Sequence, residues 1–413
     1  MRQSSSFTAG LLSLASLASL TQAELGKIQW KGLCDPTNAT GPMICGTLDV
    51  PLDYTDSTSN KTLTLDIGKW PATKKATAEP VFVNFGGPGV NSFEGLGSYG
   101  KEFQTGVGNT IPFSCYSNDS SRELASLQAP KDGTASNTAR GEIWAQSTNY
   151  AQACYAQNGE NGSLIGTTFA ARDTLQVLDA LRGKDAKLNY WGISYGTTVG
   201  AVMAAMFPER MGYLALDELI YYVQTHNATV LGSSEVYSTI KSYGLSASLT
   251  SSSNEVESGI RCSDKAASAS MADVLPYSNV RAALSRIASD GANTDMRCAQ
   301  WNKKMYAKER YTGDFDVKTP RPVLVLSNRY DPSTPLAAAK NLTATFEGSV
   351  LLEQNGYGHT TLSVPSLCTA KVVRAYFSNG TLPAEGTICE IDVPLFTNLT
   401  YADVWPKSFQ AGL

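Results

Sequence analysis

A serine stands between two glycines in the segment Gly192–Gly196, which reads G-I-S-Y-G. The apolar run LNYW precedes this segment, and a run of small apolar residues follows it. This order predicts a strand, a sharp turn and a helix, with the serine hydroxyl lifted clear of the sheet at the turn. G-x-S-x-G is short enough to arise by chance, and an ordinary turn between a strand and a helix also fits it. Ser194 is therefore a candidate nucleophile, and the interpretation depends on its partners.

A serine hydroxyl is a weak nucleophile that needs a histidine as general base and an acid that fixes the tautomer of that histidine. The chain has two histidines, and His226 stands beside a glycosylation sequon, which favours a surface position. His359 follows the run SVLLEQNGYG, and Asp331 follows the β-rich run VLVLSNRY. The order Ser194, Asp331, His359 is typical of α/β-hydrolases. The alternative is that Asp331 caps a turn and His359 lies in a surface loop.

Acyl transfer also needs two backbone N–H groups that face the developing oxyanion. The N–H of Tyr195, directly after the serine, is one candidate. The second is predicted in the glycine loop NFGGPGV, which follows the apolar run PVFV. We expect Gly87 to be this donor, with Gly86 as the alternative, because glycine adopts the φ angles that turn an amide inward. No G-K-S/T follows the loop, so it is not a phosphate loop.

The elements that must position these residues predict an α/β fold. Predicted strands lie in the runs CGTLDVPLDYT, KTLTLDIGKW, EPVFVNF, KLNYWG, GYLALDELI, PVLVLSNRY and SVLLEQNGY, the first two as a hairpin. The clearest predicted helix is TTFAARDTLQVLDALRG, which Gly183 ends. The segment PSLCTAKVVRAYFSNG predicts the last helix, whereas residues 91 to about 160 show no clear pattern. Strands that alternate with helices predict a mostly parallel central sheet with helices on both faces.

Residues 222–318 interrupt this alternation. Three segments there predict helices: SEVYSTIKSYG, SNVRAALSRIASDG and CAQWNKKMYAKERY. We therefore expect an inserted helical cap at 222–318, between core parts at 24–221 and 319–413. Residues 1–23 predict a signal peptide, with Arg2 before a short apolar stretch and small residues before a cleavage point after Ala23.

Export agrees with the cysteine count and with the glycosylation sequons. Eight cysteines predict disulfides in an oxidising compartment, and their order suggests the neighbouring pairs 34–45, 115–154, 262–298 and 368–389. Eight N-x-S/T sequons predict N-glycans, at Asn38, Asn60, Asn118, Asn161, Asn227, Asn341, Asn379 and Asn398. The net charge of −4 with no basic patch argues against a nucleic-acid partner. After the signal, no run approaches the about 20 apolar residues of a membrane helix.

Six motifs occur in one order between about residues 30 and 395: CGTLDVPLDY, GGPGV, GISYGT, CAQW…ERY, NRYDPSTPL and GYGH. Together they resemble the secreted tripeptidyl aminopeptidase-like branch of the proline iminopeptidase family, which are serine peptidases of the α/β-hydrolase fold. The resemblance implies that Ser194 is the nucleophile, Asp331 the orienting acid and His359 the general base. It also implies that residues or short peptides are released from free peptide N-termini through an acyl-enzyme, without a cofactor.

The chain departs from the family in two places. No apolar strand run and no D-P-R-G turn follow the glycine loop, so the sheet has a gap there or another segment fills it. The cap is also short, and the carboxylates that hold the substrate ammonium in the family have no assignable counterpart. The candidates Glu218, Glu235, Glu255 and Glu257 are expected to be solvated surface residues. A secreted carboxylesterase or acyl hydrolase, and an inactive hydrolase-like binding protein, therefore stand as alternatives to the aminopeptidase.

Overall fold

The computed structural model describes residues 26–34, 42–72, 79–89, 93, 105–107, 111–128, 133, 136–218, 253–284, 289–395, 397, 399 and 401–407. The predicted signal peptide, His226, Glu235 and the predicted helix SEVYSTIKSYG lie outside these residues.

The described residues form ten strands, β1 to β10: Gln29–Cys34, Met43–Pro51, Thr62–Lys69, Val81–Asn84, Thr105–Val107, Leu188–Ile193, Met211–Asp217, Leu324–Tyr330, Val350–Tyr357 and Ile388–Glu390. They also form ten helices, α1 to α10: Asp119–Gln128, Ala139–Asn158, Thr167–Arg182, Tyr195–Met206, Ser253–Lys265, Met271–Leu284, Ser289–Ala299, Leu336–Thr345, Leu367–Asn379 and Tyr401–Val404.

The strands form one sheet in the order β1-β2-β3-β5-β4-β6-β7-β8-β9-β10. Strands β1, β2 and β3 pair antiparallel, and the pairs from β5 through β10 are all parallel. The predicted hairpin and the mostly parallel sheet are therefore confirmed. Since parallel strands end at the same edge, the residues that follow β6, β8 and β9 meet at one edge of this sheet.

A short strand occupies the place where the sequence left a gap open. Strand β5 pairs antiparallel with β3, where Ile67 faces Val107, and parallel with β4, where Val83 faces Gly106. The sheet is therefore continuous from β3 to β4. The sequence did not predict this strand because its three residues, TGV, are too few to show a period.

Helices cover both faces of the central strands, as predicted. In β7, Leu214 and Leu216 belong to one apolar cluster, whereas Ala215 between them belongs to another. Helices α3, α4 and α8 contribute to the first cluster, and α9 contributes Val373 and Tyr376 to the second. Successive side chains of a strand point to opposite faces, so the two clusters lie on opposite sides of the sheet.

A second group of helices consists of α2, α5, α6 and α7, where α7 packs against the other three. All four predicted disulfides are confirmed, and two of them, Cys115–Cys154 and Cys262–Cys298, lie in one apolar cluster of this group. In the part of the chain that the structure describes, none of the helices has both the length and the apolar composition of a membrane span.

One prediction of local structure was wrong, and several helices were not predicted. Helices α1 and α2 lie where no pattern was seen, because α1 has no buried residue and small or polar residues such as Ser147 and Ala151 fill much of the buried side of α2. The segment CAQWNKKMYAKERY is not a continuous helix, since α7 ends at Ala299 and only a 3₁₀ turn follows at Lys303–Met305. Beyond α7, its buried residues Trp301, Met305 and Ala307 are spaced by four and two positions, and Ala307 therefore does not lie on one helical face with the other two.

Candidate active site

Ser194 lies at a sharp turn between β6 and α4, with φ 56° and ψ −125°. Its backbone N–H donates to the carbonyl of Asp217 at 2.9 Å. A Cβ at Gly192 would lie 2.3 Å from the carbonyl oxygen of Gly196, and one at Gly196 would lie 2.2 Å from the carbonyl oxygen of Asn84. Both glycines are therefore required, because the strand and the helix pass too closely for any side chain.

The structure brings the three predicted residues into one chain of hydrogen bonds. The Nε2 atom of His359 lies 2.7 Å from the Oγ atom of Ser194, and its Nδ1 atom lies 2.7 Å from Oδ2 of Asp331. Ser194 and Asp331 are buried, at 6% and 8% exposure, whereas the His359 side chain keeps 36% of its surface exposed. The imidazole is thus the exposed member of this chain of hydrogen bonds, and the carboxylate is at its closed end.

Asp331 accepts hydrogen bonds from several donors besides His359. Its Oδ1 accepts from the backbone N–H groups of Ser333 and Thr334, at 2.6 and 2.9 Å. Its Oδ2 accepts from the N–H of Thr360 at 2.9 Å and from the hydroxyl of Thr334 at 2.7 Å. Burial alone would raise the pKa of Asp331, but hydrogen bonds with His359, Glu218 and Thr334 hold that pKa below its usual range. Asp331 is therefore an anion at neutral pH.

The glycine loop lies directly against the turn that carries the serine. A Cβ at Gly86 would lie 2.8 Å from both the Cβ of Ser194 and the backbone nitrogen of Tyr195. The N–H of Gly86 donates to Oδ1 of Asn84 at 2.9 Å, so it is turned into the loop. Gly87 follows with φ 108°. Tyr195 is the first residue of α4, where backbone N–H groups have no partner within the helix.

The sequence missed the part played by Glu218, which follows β7. The prediction that Glu218 is a solvated surface residue was wrong, because it has 0% exposure. Its φ of 68° is a conformation uncommon outside glycine. The Oε1 atom accepts from the backbone N–H of Asn328, and Oε2 lies 2.8 Å from the hydroxyl of Thr334. Burial and the neighbouring carboxylates of Asp331 and Asp217 raise the pKa of Glu218 to about 11. No local pattern could have shown this, since Asn328 and Thr334 are more than a hundred residues away.

Asp217, the last residue of β7, lies beside this network. It is fully buried and accepts from the N–H and the hydroxyl of Thr361, at 3.1 and 2.5 Å. Burial raises its pKa to about 6, although both hydrogen bonds from Thr361 and the charge of His359 act in the opposite direction.

Two further glutamates expected at the surface are also tied to partners. Glu255 is 3% exposed, accepts from the backbone N–H of Cys115 at 2.5 Å and pairs with Arg122. Glu257 is half-buried and pairs with Arg261 at 2.6 Å, and burial raises its pKa to about 7. The hydrogen bond from Cys115 to Glu255 holds α5 against the segment before α1.

Among the described residues, one group of side chains could geometrically hold a metal ion. It consists of Glu218, Asp331 and His359, whose ligand atoms lie within 4.8 Å of one another. Each of these groups already has a partner in the network around Ser194 and Thr334. The arrangement suits proton transfer between an oxygen and a nitrogen, which is the chemistry of nucleophilic acyl transfer.

Comparisons with known proteins show which proteins this chain is similar to. A family model described as TAP-like protein matches residues 285–389, which include Asp331 and His359. The tripeptidyl aminopeptidase of Streptomyces lividans is 27% identical over 223 residues, covering 50% of this chain and 40% of that protein. The serine protease Hip1 of Mycobacterium tuberculosis is 29% identical over 226 residues, covering 48% of this chain and 41% of that protein.

The matched part thus spans about two fifths of the length of these relatives. Among solved structures, the esterase RhEst1 from Rhodococcus sp. ECU1013 covers 77% of this chain and 96% of its own at 13% identity, with a TM-score of 0.35. A score of this size establishes no shared function. The parallel sheet, the turn at Ser194 and the family match together confirm the α/β-hydrolase fold and the resemblance to tripeptidyl aminopeptidase-like serine hydrolases.

Proposed function

We propose that this chain is a secreted aminopeptidase that cleaves through an acyl-enzyme on Ser194. One observation carries the proposal: His359 bridges the Ser194 hydroxyl and the Asp331 carboxylate, with both contacts at 2.7 Å. These distances are within the range at which a general base takes the proton of its nucleophile.

In the proposed mechanism, Nε2 of His359 takes the proton of Ser194 as Oγ attacks the substrate carbonyl. Asp331 holds the proton on Nδ1 and stabilises the imidazolium that forms. The imidazolium then gives its proton to the leaving amine, which departs and leaves an ester on Ser194. Water, activated by the same imidazole, hydrolyses this ester and restores the free hydroxyl.

The oxyanion is proposed to lie between the N–H groups of Tyr195 and Gly87. Tyr195 offers its N–H at the first position of α4, where the positive end of the helix dipole adds to the attraction. Gly87 is favoured over Gly86 because the N–H of Gly86 already donates to Asn84.

The choice of a peptide substrate rests on the relatives, which carry the names tripeptidyl aminopeptidase and serine protease. We propose residues 24–221 and 319–413 as the core and 222–318 as the cap, where a free N-terminus would be recognised. Secretion and N-glycosylation are proposed from the four disulfides and from the sequons. The five sequon asparagines in the described part of the chain are all exposed: Asn60, Asn118, Asn161, Asn341 and Asn379.

Three fluorogenic substrates test the proposal, each assayed with the wild type and with Ser194→Ala. They are a tripeptide amide with a free N-terminus, its N-acetyl counterpart and a short-chain ester. Turnover of the free-amine amide far above the acetylated one supports an aminopeptidase. Turnover of the ester alone means an acyl hydrolase. A folded wild type that turns over none of them, and does not react with a fluorophosphonate, contradicts the proposal.

A further inference from the structure

The hydroxyl of Thr334 lies between two carboxyl groups at the closed end of the site. Its Oγ1 atom is 2.7 Å from Oδ2 of Asp331 and 2.8 Å from Oε2 of Glu218. A threonine hydroxyl has one proton to donate, although it can accept two hydrogen bonds. If both carboxyl groups were ionised, one of these two contacts would join two oxygens without a proton between them. The geometry therefore requires one additional proton.

The number of hydrogen-bond donors around each carboxyl group decides which one carries that proton. Asp331 accepts from three backbone N–H groups and from Nδ1 of His359. The structure gives Glu218 one backbone donor, the N–H of Asn328. Donors stabilise the ionised form of a carboxyl group, so the negative charge belongs on Asp331 and the proton on Glu218. The Thr334 hydroxyl then donates to Asp331 and accepts from Glu218, whose proton also faces the Asp331 carboxylate directly.

We propose that Glu218 is a neutral carboxylic acid that acts as a positioning residue. It donates its proton towards Thr334 and thereby holds the Asp331 carboxylate in place against Nδ1 of His359. The role rests on the proposed function, because it concerns the carboxylate that orients the general base. Glu218 reaches the substrate only through Thr334, Asp331 and His359.

The surroundings of Glu218 disfavour a negative charge on its carboxyl group. Besides Asp331 and His359, the described titratable group that faces it is Asp217, which is fully buried and adds further repulsion. Thr334 and Asn328 supply the neutral contacts. Burial, which raises the pKa of Glu218 to about 11, agrees with the proton count. A neutral Glu218 therefore adds no further negative charge to those of Asp331 and Asp217 behind the imidazole.

The test uses Glu218→Gln and Glu218→Met, with the exposed Glu123→Gln as a matched control. The Gln amide can still donate towards Thr334 and accept from Asn328, whereas Met can do neither. The rate of fluorophosphonate labelling is measured against pH for each variant. Infrared difference spectra between the wild type and Glu218→Gln report the C=O stretch of a neutral carboxylic acid. They are recorded near pH 9, where carboxyl groups with a pKa of about 7 are ionised.

We expect the neutral-acid band in the wild type and its loss in Glu218→Gln. Glu218→Gln keeps the acidic limb of the rate profile at the wild-type pH, since one neutral donor replaces another. Glu218→Met lowers the labelling rate by about tenfold or more, because the hydrogen bonds of Glu218 with Thr334 and with the Asp331 anion are lost. It also moves the acidic limb to higher pH, since the less-solvated Asp331 anion attracts the imidazole proton more strongly. Glu123→Gln changes neither quantity.

An ionised Glu218 predicts a shift instead: Glu218→Gln would then remove a negative charge and move the acidic limb to lower pH. That shift, or the absence of the infrared band, overturns the proposal. If Glu218→Met does not fold, the pH profile of labelling and the infrared spectrum of Glu218→Gln still test whether Glu218 is neutral. A folded wild type that shows the band but does not label overturns the proposed function and the positioning role, while Glu218 is still shown to be neutral.

Discussion

The Oγ atom of Ser194 lies 2.7 Å from Nε2 of His359, although 165 positions separate the two residues in sequence. The sheet produces this contact, because Ser194 follows β6 and His359 follows β9 at the same edge. Asp331 follows β8, which lies beside β9, and so reaches the other side of the imidazole. The fold therefore supplies the geometry of the site before any substrate binds.

Ser194→Ala and His359→Ala are each expected to lower turnover by roughly 10⁴-fold or more, because the two residues act as one unit. For the same reason, the double variant should be no slower than either single variant. Steady-state rates on one substrate, with circular dichroism to verify folding, measure this. Effects that multiply would show that the two residues act independently.

Asp331→Asn is expected to fold and to lose roughly 10⁴-fold in kcat/KM. An amide at this position can present its NH₂ group to Nδ1 of His359, which leaves the proton on Nε2. The imidazole then cannot accept the proton of Ser194. If Asp331→Asn keeps more than about a tenth of the wild-type kcat/KM, another acid must orient His359.

Gly192→Ala and Gly196→Ala are expected to abolish fluorophosphonate labelling and to destabilise the fold. Each new Cβ would lie within 2.3 Å of a backbone oxygen, so the strand and the helix would have to separate. Gly141→Ala is the matched control, since its Cβ meets no atom within 4 Å and it lies inside helix α2. Alanine there should raise the free energy of unfolding by about 1 kcal/mol, because it favours a helix more than glycine does. Labelling retained in Gly196→Ala would contradict the close approach at Ser194.

Asp173 is expected to make the protein less stable as pH rises from about 4 to 7. Burial raises its pKa to about 7, although the hydroxyl of Tyr54 donates to it at 2.5 Å. Because the folded pKa is the higher one, the stabilising contribution is complete below the unfolded pKa and is lost as pH rises through the folded pKa.

Asp173→Asn should therefore flatten the curve of unfolding free energy against pH over this range. The change in slope is at most about 1.4 kcal/mol per pH unit. Chemical denaturation at several pH values measures it, with the exposed Asp185→Asn as control. An unchanged slope in Asp173→Asn would mean that Asp173 is ionised in the folded protein at acidic pH.

Much of this architecture could be predicted from local patterns. The apolar runs before Ser194, Asp331 and His359 gave the three strands, and the order of the cysteines gave all four disulfides. Helices α1 and α2 and strand β5 were among the elements missed, since α1 has no buried residue, α2 buries small and polar residues and β5 has three residues. The environment of Glu218 was also missed, because it depends on partners that only the folded sheet brings together.

The most direct test of the central claim is the reaction of the intact protein with a fluorophosphonate, followed by peptide mapping by mass spectrometry. We predict one phosphonyl group per chain, attached to Ser194, and slower labelling at acidic pH, because a general base must be unprotonated to take the proton of its nucleophile. An adduct on another residue, or none on a folded protein, would contradict the account.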